Sequence, residues 1–251
     1  MKKFILLMAG VASFAAANAQ RITIGPEVGF NMSNVWLHDT RGNVDDRSSG
    51  DAKPGLKIGG VLDIGASPFF SIQPGLFYSM KGYKLDEIRN GAGGVPLTRA
   101  DASRRVNLNY VELPLNLVFK AGHPGGPKFM IGAGIYAAYA VGGKVKYGDY
   151  LGSSRNTSED LHFGDNERTD DFRQGDFGGQ VFIGFITRHG AFMRAQYQGG
   201  IANIDVYGDD DYTVRNATGS LTFGFLLGDH GRGANHHRGH GHHRVHDRYA
   251  D

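Results

Sequence analysis

Hydrophobic and polar residues alternate with a period of two over residues 106–120, VNLNYVELPLNLVFK. One face carries Leu113, Leu115, Leu117 and Phe119, and the opposite face carries Glu112, Asn116 and Lys120. Because successive side chains of a strand point to opposite sides, this segment has an unbroken apolar face and a charged face. The wall of a transmembrane β-barrel supplies the two environments that such a strand requires.

The same alternation recurs along the chain and gives eight predicted strands. They cover residues 22–33, 55–66, 69–83, 106–120, 128–143, 173–187, 191–205 and 213–227. The segments between them are alternately long and short, which is typical of outer-membrane barrels with short periplasmic turns and long extracellular loops. The even number of strands then places both termini in the periplasm. We therefore predict an all-β fold, an eight-stranded antiparallel up-and-down transmembrane β-barrel.

Three prolines interrupt this pattern. Pro26, Pro74 and Pro114 fall within predicted strands, where the missing N–H removes a hydrogen bond of the ladder. Each is expected to mark a bulge or a register break, unless the predicted strand limits are wrong there. The fifth and sixth strands present mostly small residues on their predicted inward faces, which suits a narrow barrel.

The two ends of the chain differ from the predicted barrel. Residues 1–19 begin with a lysine pair, continue with an apolar run and end in an A-x-A site, the pattern of a cleaved signal peptide. An uncleaved anchor is the alternative, although the run is short for a spanning helix, which needs roughly twenty residues. We assign residues 20–228 to the barrel and residues 229–251 to a disordered, His-rich tail.

Composition narrows the class of protein further. The 251 residues include 39 glycines and 8 prolines, which favours one all-β domain. The absence of cysteine excludes a disulfide framework and a thiolate metal site. Lys2 and Lys3 account for the formal charge of +2, so the remaining chain is nearly neutral and gives no reason to expect a nucleic-acid partner.

Two segments resemble a known family. YVELPLNL at 110–117 and GPEVGFNMSNV at 25–35, together with the predicted export signal, resemble the PorT-like family of outer-membrane β-barrel proteins. The resemblance covers residues 22–228. It implies an eight-stranded barrel in the outer membrane of a diderm bacterium, with membrane lipid and the barrel-assembly machinery as partners. It carries no catalytic residues, and the tail departs from the family pattern.

Seven charged residues fall on predicted inward faces. They are Glu27, Lys57, Asp63, Lys81, Glu112, Asp176 and Arg194. An interior of about eight strands is just wide enough for side chains to fill it. Because buried charges are tolerated only when they are paired, we predict a structural network of ion pairs. A proton or solute path along these residues is the functional alternative.

The tail offers candidate metal ligands. Those we select are His236, His237, His240, His242, His243 and His246. Imidazole binds Zn, Cu and Ni, but Gly239 and Gly241 oppose a helix, so any site would be flexible. The alternatives are a solvated tail with incidental affinity, or a tail whose histidines become cationic in mild acid and bind an anionic periplasmic partner. No cofactor is expected to be required.

The remaining candidates have simpler interpretations. The acidic runs at 165–171 and 209–211 lack the spacing of a calcium loop, so solvated loop acids are favoured over Ca²⁺ binding or bridging to lipid phosphates. Ser33 and His38 lack a third member, so we do not predict an enzyme. Trp36, Tyr83, Tyr207 and Tyr212 lie at strand ends and are predicted to form an aromatic girdle.

The sequence therefore predicts an outer-membrane barrel with a structural or interaction role. That role is envelope integrity, adhesion or ligand contact through the loops, with possible binding of divalent metal by the tail. The competing hypothesis is a soluble exported β-barrel that binds a small apolar ligand. Such a carrier would place its apolar residues inside and its charges outside.

Overall fold

The computed structural model describes residues 21–39, 51–85, 104–123, 125–147, 158–164, 171–204 and 212–228. These contain nine strands: β1 (Arg21–Asp39), β2 (Asp51–Gly65), β3 (Phe70–Leu85), β4 (Arg104–Gly122), β5 (Lys128–Tyr147), β6 (Ser158–Asp160), β7 (Gly175–Ile186), β8 (Ala191–Gly200) and β9 (Tyr212–Phe225). In this part of the chain, no helix is long and apolar enough to cross a membrane.

Eight of the strands form a closed antiparallel barrel. Each pairs with its neighbour in the order β1, β2, β3, β4, β5, β7, β8 and β9, and β9 pairs with β1 to close the ring. The predicted eight-stranded up-and-down barrel is thus confirmed. The three-residue β6 was not predicted, and it pairs only with positions 144–146 of β5, beyond the part of β5 that pairs with β7.

The short connections lie at one end of the barrel and the long connections lie at the other. Short turns follow β2, β4 and β7, and long segments follow β1, β3, β5 and β8. We call the two ends the short-turn end and the long-loop end. At the turn after β7, Gly190 has a φ of 95°, a conformation that favours glycine, and its N–H donates to Thr187 O.

The outer face of the wall is apolar and the inner face is polar over the middle of the barrel. On β1, the exposed residues Ile22, Ile24, Val28, Phe30 and Met32 alternate with the buried residues Thr23, Glu27 and Asn31. The ten steps along the strand from Ile22 to Met32 cover about 33 Å, or about 25 Å of membrane at a tilt near 40°. A soluble carrier requires the opposite orientation, so that alternative is wrong.

Apolar side chains also fill both ends of the interior. At the long-loop end, Tyr110 and Leu108 of β4 pack with Val35, Tyr136 and Ile204, and these belong to a larger buried cluster. At the short-turn end, Phe77, Val118, Met130, Phe182 and Phe192 belong to a second cluster. Met130 and Tyr136 lie on the β5 face that the sequence pattern describes as mostly glycine and alanine. The barrel is therefore a filled core.

The three prolines do not break the register, contrary to the prediction. Pro26 pairs with Gly60, Pro74 pairs with Leu115 and Pro114 pairs with Tyr136, each within a ladder of constant register. Each proline is absent from the ladder on its other side. A residue of an antiparallel strand directs its N–H to one neighbour only, so the proline loses one hydrogen bond and keeps its pairing with the other neighbour.

The register shifts lie elsewhere, and two strands end earlier than predicted. The shifts fall between Ala52 and Lys57 of β2 and between Asn109 and Tyr110 of β4. β7 ends at Ile186, and β8 ends at Gly200 rather than at 205. Beyond Gly200 the backbone leaves the ladder, and the N–H of Ile201 donates to Phe177 O.

The predicted aromatic girdle needs correction. Trp36 is exposed on the outer wall opposite Arg215, as a girdle residue requires. Tyr83 is buried in the long-loop cluster, because the alternation on β3 turns it inward. Tyr207 and the side chain of Tyr212 lie outside the described residues. At the short-turn end the exposed rings are phenylalanines instead: Phe69, Phe70, Phe119, Phe129 and Phe185.

A mid-belt substitution tests the outer face. Val28→Arg is expected to lower the free energy of unfolding in vesicles by about 2–4 kcal/mol, because the guanidinium would enter the centre of the hydrocarbon. The matched change at the edge of the belt, Ile22→Arg, is expected to cost about 0–1 kcal/mol. Urea unfolding of both variants measures the difference. Equal costs would contradict the placement of the belt.

Candidate functional site

All seven inward charges named from the sequence lie inside the barrel. Glu27, Lys57, Asp63, Lys81, Glu112, Asp176 and Arg194 are each at most 8% exposed. They come from six different strands, and each occupies an inward position of the period-two alternation. The barrel therefore concentrates charges that are far apart in sequence within one dry volume.

The central group of the network is built on Glu112. Its carboxylate lies 2.6 Å from Lys81 Nζ and 3.3 Å from Lys57 Nζ. Lys81 Nζ also lies 3.8 Å from Asp176 Oδ2. Asn216 Nδ2 donates to Asp176 Oδ2 at 2.9 Å, and Tyr136 OH donates to the same oxygen at 3.3 Å. These contacts give each buried charge of this group an opposite charge as partner.

Aromatic rings cover the two lysines of this group. Lys81 Nζ lies 4.6 Å from the centroid of the Tyr136 ring and 5.5 Å from that of Tyr110. Lys57 Nζ lies 4.7 Å from the centroid of the Phe77 ring. Ring faces attract cations, and the attraction grows when water is absent. The rings thus replace part of the hydration that the ammonium groups lose.

A second ion pair joins β1 to β8. Arg194 Nη2 lies 2.8 Å from Glu27 Oε2, and Thr222 Oγ1 donates to Glu27 Oε1 at 2.6 Å. The guanidinium carbon lies 4.5 Å from the centroid of the Phe192 ring and 4.9 Å from that of Phe182. This pair therefore links the polar middle to the apolar cluster of the short-turn end.

A third pair lies nearer the short-turn end. Lys120 Nζ is hydrogen-bonded to Asp63 Oδ2. Gln73 Nε2 donates to Asp63 Oδ1 at 2.7 Å, and Gln73 Oε1 accepts from Arg194 Nη1 at 3.2 Å, so this pair is connected to the second. Lys120 was not among the seven residues selected from the sequence. The signal was present, because Lys120 shares the inward face of β4 with Glu112.

Neutral polar side chains occupy the space between the pairs. Gln180 Nε2 donates to Asn116 Oδ1 at 2.5 Å, and Gln180 Oε1 accepts from Gln196 at 3.2 Å and from Gln198 at 2.8 Å. Elsewhere Asn31 Nδ2 donates to Ser79 Oγ at 2.9 Å. Polar atoms that water would otherwise have to satisfy thus bond to one another.

The interior charges balance. The four carboxylates are Glu27, Asp63, Glu112 and Asp176, and the four cations are Lys57, Lys81, Lys120 and Arg194, so the described interior is formally neutral. A path for ions or protons requires charged groups that are mobile or unpaired. Each of the eight interior charges has a fixed partner instead. The arrangement favours a structural role for the network.

The described residues hold no other assembled site. Ser33 is buried and its Oγ accepts from Thr218 Oγ1 at 3.2 Å, while the side chain of His38 lies outside the described residues. No three His, Asp or Glu residues of the described part are grouped so that they could hold a metal. The acidic runs at 165–170 and 209–211 and the tail lie outside it.

Glu112→Gln tests whether the network is structural. Loss of the carboxylate leaves Lys57 without its partner and Lys81 with only the longer contact to Asp176. Breaking a buried pair in this way is expected to cost about 3–5 kcal/mol of unfolding free energy. The double variant Glu112→Gln/Lys57→Met is expected to recover part of that loss, since one orphaned cation is removed. Urea unfolding in vesicles measures both, and an unchanged stability together with altered conductance would contradict a structural network.

Solved structures of small barrels resemble this fold. Ail, the attachment invasion locus protein of Yersinia pestis, is 12% identical, with 83% of this chain and 100% of that chain covered and a TM-score of 0.40. OprG of Pseudomonas aeruginosa is 10% identical, with coverages of 82% and 95% and a TM-score of 0.43. Neisserial surface protein A is 9% identical, with coverages of 82% and 97% and a TM-score of 0.39.

No curated protein sequence matches the chain. A family model described as "Outer membrane protein beta-barrel domain" matches residues 14–206. The match includes β1 to β8 and most of the interior network. With its closed barrel, apolar outer belt and filled polar interior, the chain belongs to the outer membrane protein β-barrel domain family.

Proposed function

We propose that the protein is a sealed anchor in the bacterial outer membrane that makes contacts through its long-loop end. The observation that carries this proposal is the filled interior, in which two apolar clusters flank a neutral network. A barrel without a lumen leaves its loops and its outer wall as the surfaces available for function. The role is therefore structural or interactive, and adhesion or ligand contact through the loops is favoured.

Orientation follows from the export pathway that the sequence predicts. With residues 1–19 removed as a signal peptide, both termini lie in the periplasm and the long-loop end faces the exterior. The motifs at 25–35 and 110–117 support placement within the PorT-like group of such barrels. The described interior is filled by two apolar clusters and by side chains bonded to one another, and this packing supports a non-enzymatic role.

Reconstitution in planar bilayers tests whether the barrel excludes ions. The full chain is expected to show no stepwise conductance, because Tyr136 and Phe182 fill the bore at different heights. The double variant Tyr136→Ala/Phe182→Ala is the positive control, since it shortens one filler in each cluster. Ohmic steps from the unaltered, heat-modifiable protein would overturn the sealed-anchor proposal.

A loop-shortened chain tests the contact role. In a strain that lacks the protein, we expect the full chain to restore adhesion to an extracellular-matrix surface. We expect no restoration by a chain in which 86–103 is replaced by a four-residue turn. The variant must show the same heat-modifiable band and abundance in the outer-membrane fraction. Equal adhesion by both chains would contradict contact through this loop, and restored detergent resistance in both would point to envelope integrity.

We further infer from the sequence that the tail, residues 229–251, binds divalent metal. Its support is the density of imidazoles, which are ligands for Zn, Cu and Ni. Both glycines between His236 and His246 favour a flexible site that does not select strongly among these metals. The same histidines become cations in mild acid, which would release the metal and attract an anionic periplasmic partner.

Calorimetric titration of the folded full chain with ZnCl₂ tests this inference. We expect a saturable signal at pH 7.5 that weakens at pH 5.5, because protonated imidazole is no longer a ligand. The chain truncated after Gly228 is the control and should give no signal. Saturable binding of equal affinity in the truncated chain would assign the metal to the barrel or its loops instead.

A further inference from the structure

A row of three cations crosses the outer wall at the long-loop end. Lys84 of β3 lies directly opposite Arg105 of β4, and Arg105 lies directly opposite Lys146 of β5. Their neighbours along the three strands, Tyr83, Val106 and Val145, are buried in the interior. Because side chains alternate along a strand, the three cations face outward, with Arg105 and Lys146 exposed and Lys84 half-buried. We call these three residues the cationic row.

The cationic row is electrostatically unfavourable by itself. Like charges placed directly opposite one another on adjacent strands destabilise a sheet. Lys146 and Lys84 also repel the ammonium group of Lys53, which donates to Lys81 O at 3.2 Å. The salt bridges within the described part of the chain do not include the three cations of the row.

Acidic residues near the row are on β2 and β6. Asp51 of β2 lies directly opposite Lys84. Asp160 Oδ1 lies 3.2 Å from Lys144 Nζ, two positions before Lys146. Glu159 is paired in register with Val145, whose side chain is on the opposite face from the row. Asp51 lies opposite Lys84 and Asp160 pairs with Lys144, whereas Arg105 lies between two cations, so a net positive charge stays on the wall of β3, β4 and β5.

The row lies just beyond the apolar belt. On β3 the last exposed apolar residue is Met80, four positions before Lys84. Four residues cover about 13 Å of strand, or about 10 Å along the membrane normal at a tilt near 40°. The headgroup layer extends roughly 5–8 Å beyond the hydrocarbon, and the long stems of lysine and arginine reach back toward it. The charged ends thus lie at the height of lipid headgroups.

We propose that the cationic row binds the phosphate groups of a phosphorylated lipid in the leaflet at the long-loop end. Phosphate oxygens accept bidentate hydrogen bonds from a guanidinium, as Arg105 can donate, and ion pairs from the flanking ammonium groups. Adjacent strands are about 4.8 Å apart, so the row is about 10 Å wide and can hold two phosphates of one headgroup. A bound phosphate removes the repulsion within the row.

The test is a titration of the refolded full chain in a neutral detergent with lipid A, which carries two phosphates. The temperature at which the heat-modifiable band unfolds gives the apparent Kd. In the variant K84Q/R105Q/K146Q the Kd is expected to rise on the order of 100-fold, since each cation near an anionic surface contributes about 1 kcal/mol. Added NaCl should weaken binding by the full chain.

The control variant R21Q/K128Q/R188Q removes the same charge at the short-turn end and should bind lipid A within about twofold of the full chain. A second readout guards against misfolding: without lipid, K84Q/R105Q/K146Q should unfold at the same or a higher temperature, because repulsion is relieved. Equal loss in both variants, equal binding of dephosphorylated lipid A, or equal stabilisation by inorganic phosphate alone would overturn the proposal.

Discussion

The ladder between β1 and β9 is the interaction on which the rest of the structure depends. It joins Glu27–Asp39 to Tyr212–Gly224 and leaves no free edge in the ring of eight strands. In hydrocarbon, an unpaired backbone N–H or C=O has no water to bind, so a sheet is tolerated there only when it closes on itself. Closure also fixes which face of every strand points inward, and thereby creates the interior.

That interior is stable because its charges are paired and its ends are packed. Taking a single charge out of water is expensive, and a partner offsets the expense only when the geometry is good. Glu112 between two lysines and Glu27 beside Arg194 meet this condition, and aromatic rings cover the cations. The same pairing that stabilises the core removes the mobile charges that a conducting channel would use, and it therefore supports the proposed sealed anchor.

Charges on the outer wall are neutralised in a different way from charges in the interior. Over the belt its exposed side chains are apolar, and beyond it three cations lie opposite one another on adjacent strands, with Asp51 of β2 opposite the first of them. An unpaired cation in the interior would destabilise the barrel, whereas on the wall the partner can come from the membrane itself. Such a row would therefore select phosphorylated lipids as neighbours of the barrel, and it leaves the fold unchanged.

The sequence by itself determined the eight strands of the barrel and the inward face of its charged residues, because a period of two is a local property of the backbone, and the spacing of these strands determined the alternation of loop lengths. The sequence placed Glu112 and Lys81 on inward faces, but it did not show which residues they contact. Tertiary structure decided the partners, since Lys81 and Asp176 are brought together only by closure and stagger of the strands. It also assigned Lys120 to Asp63. The prolines kept their register because each strand residue has two neighbours and needs its N–H for only one.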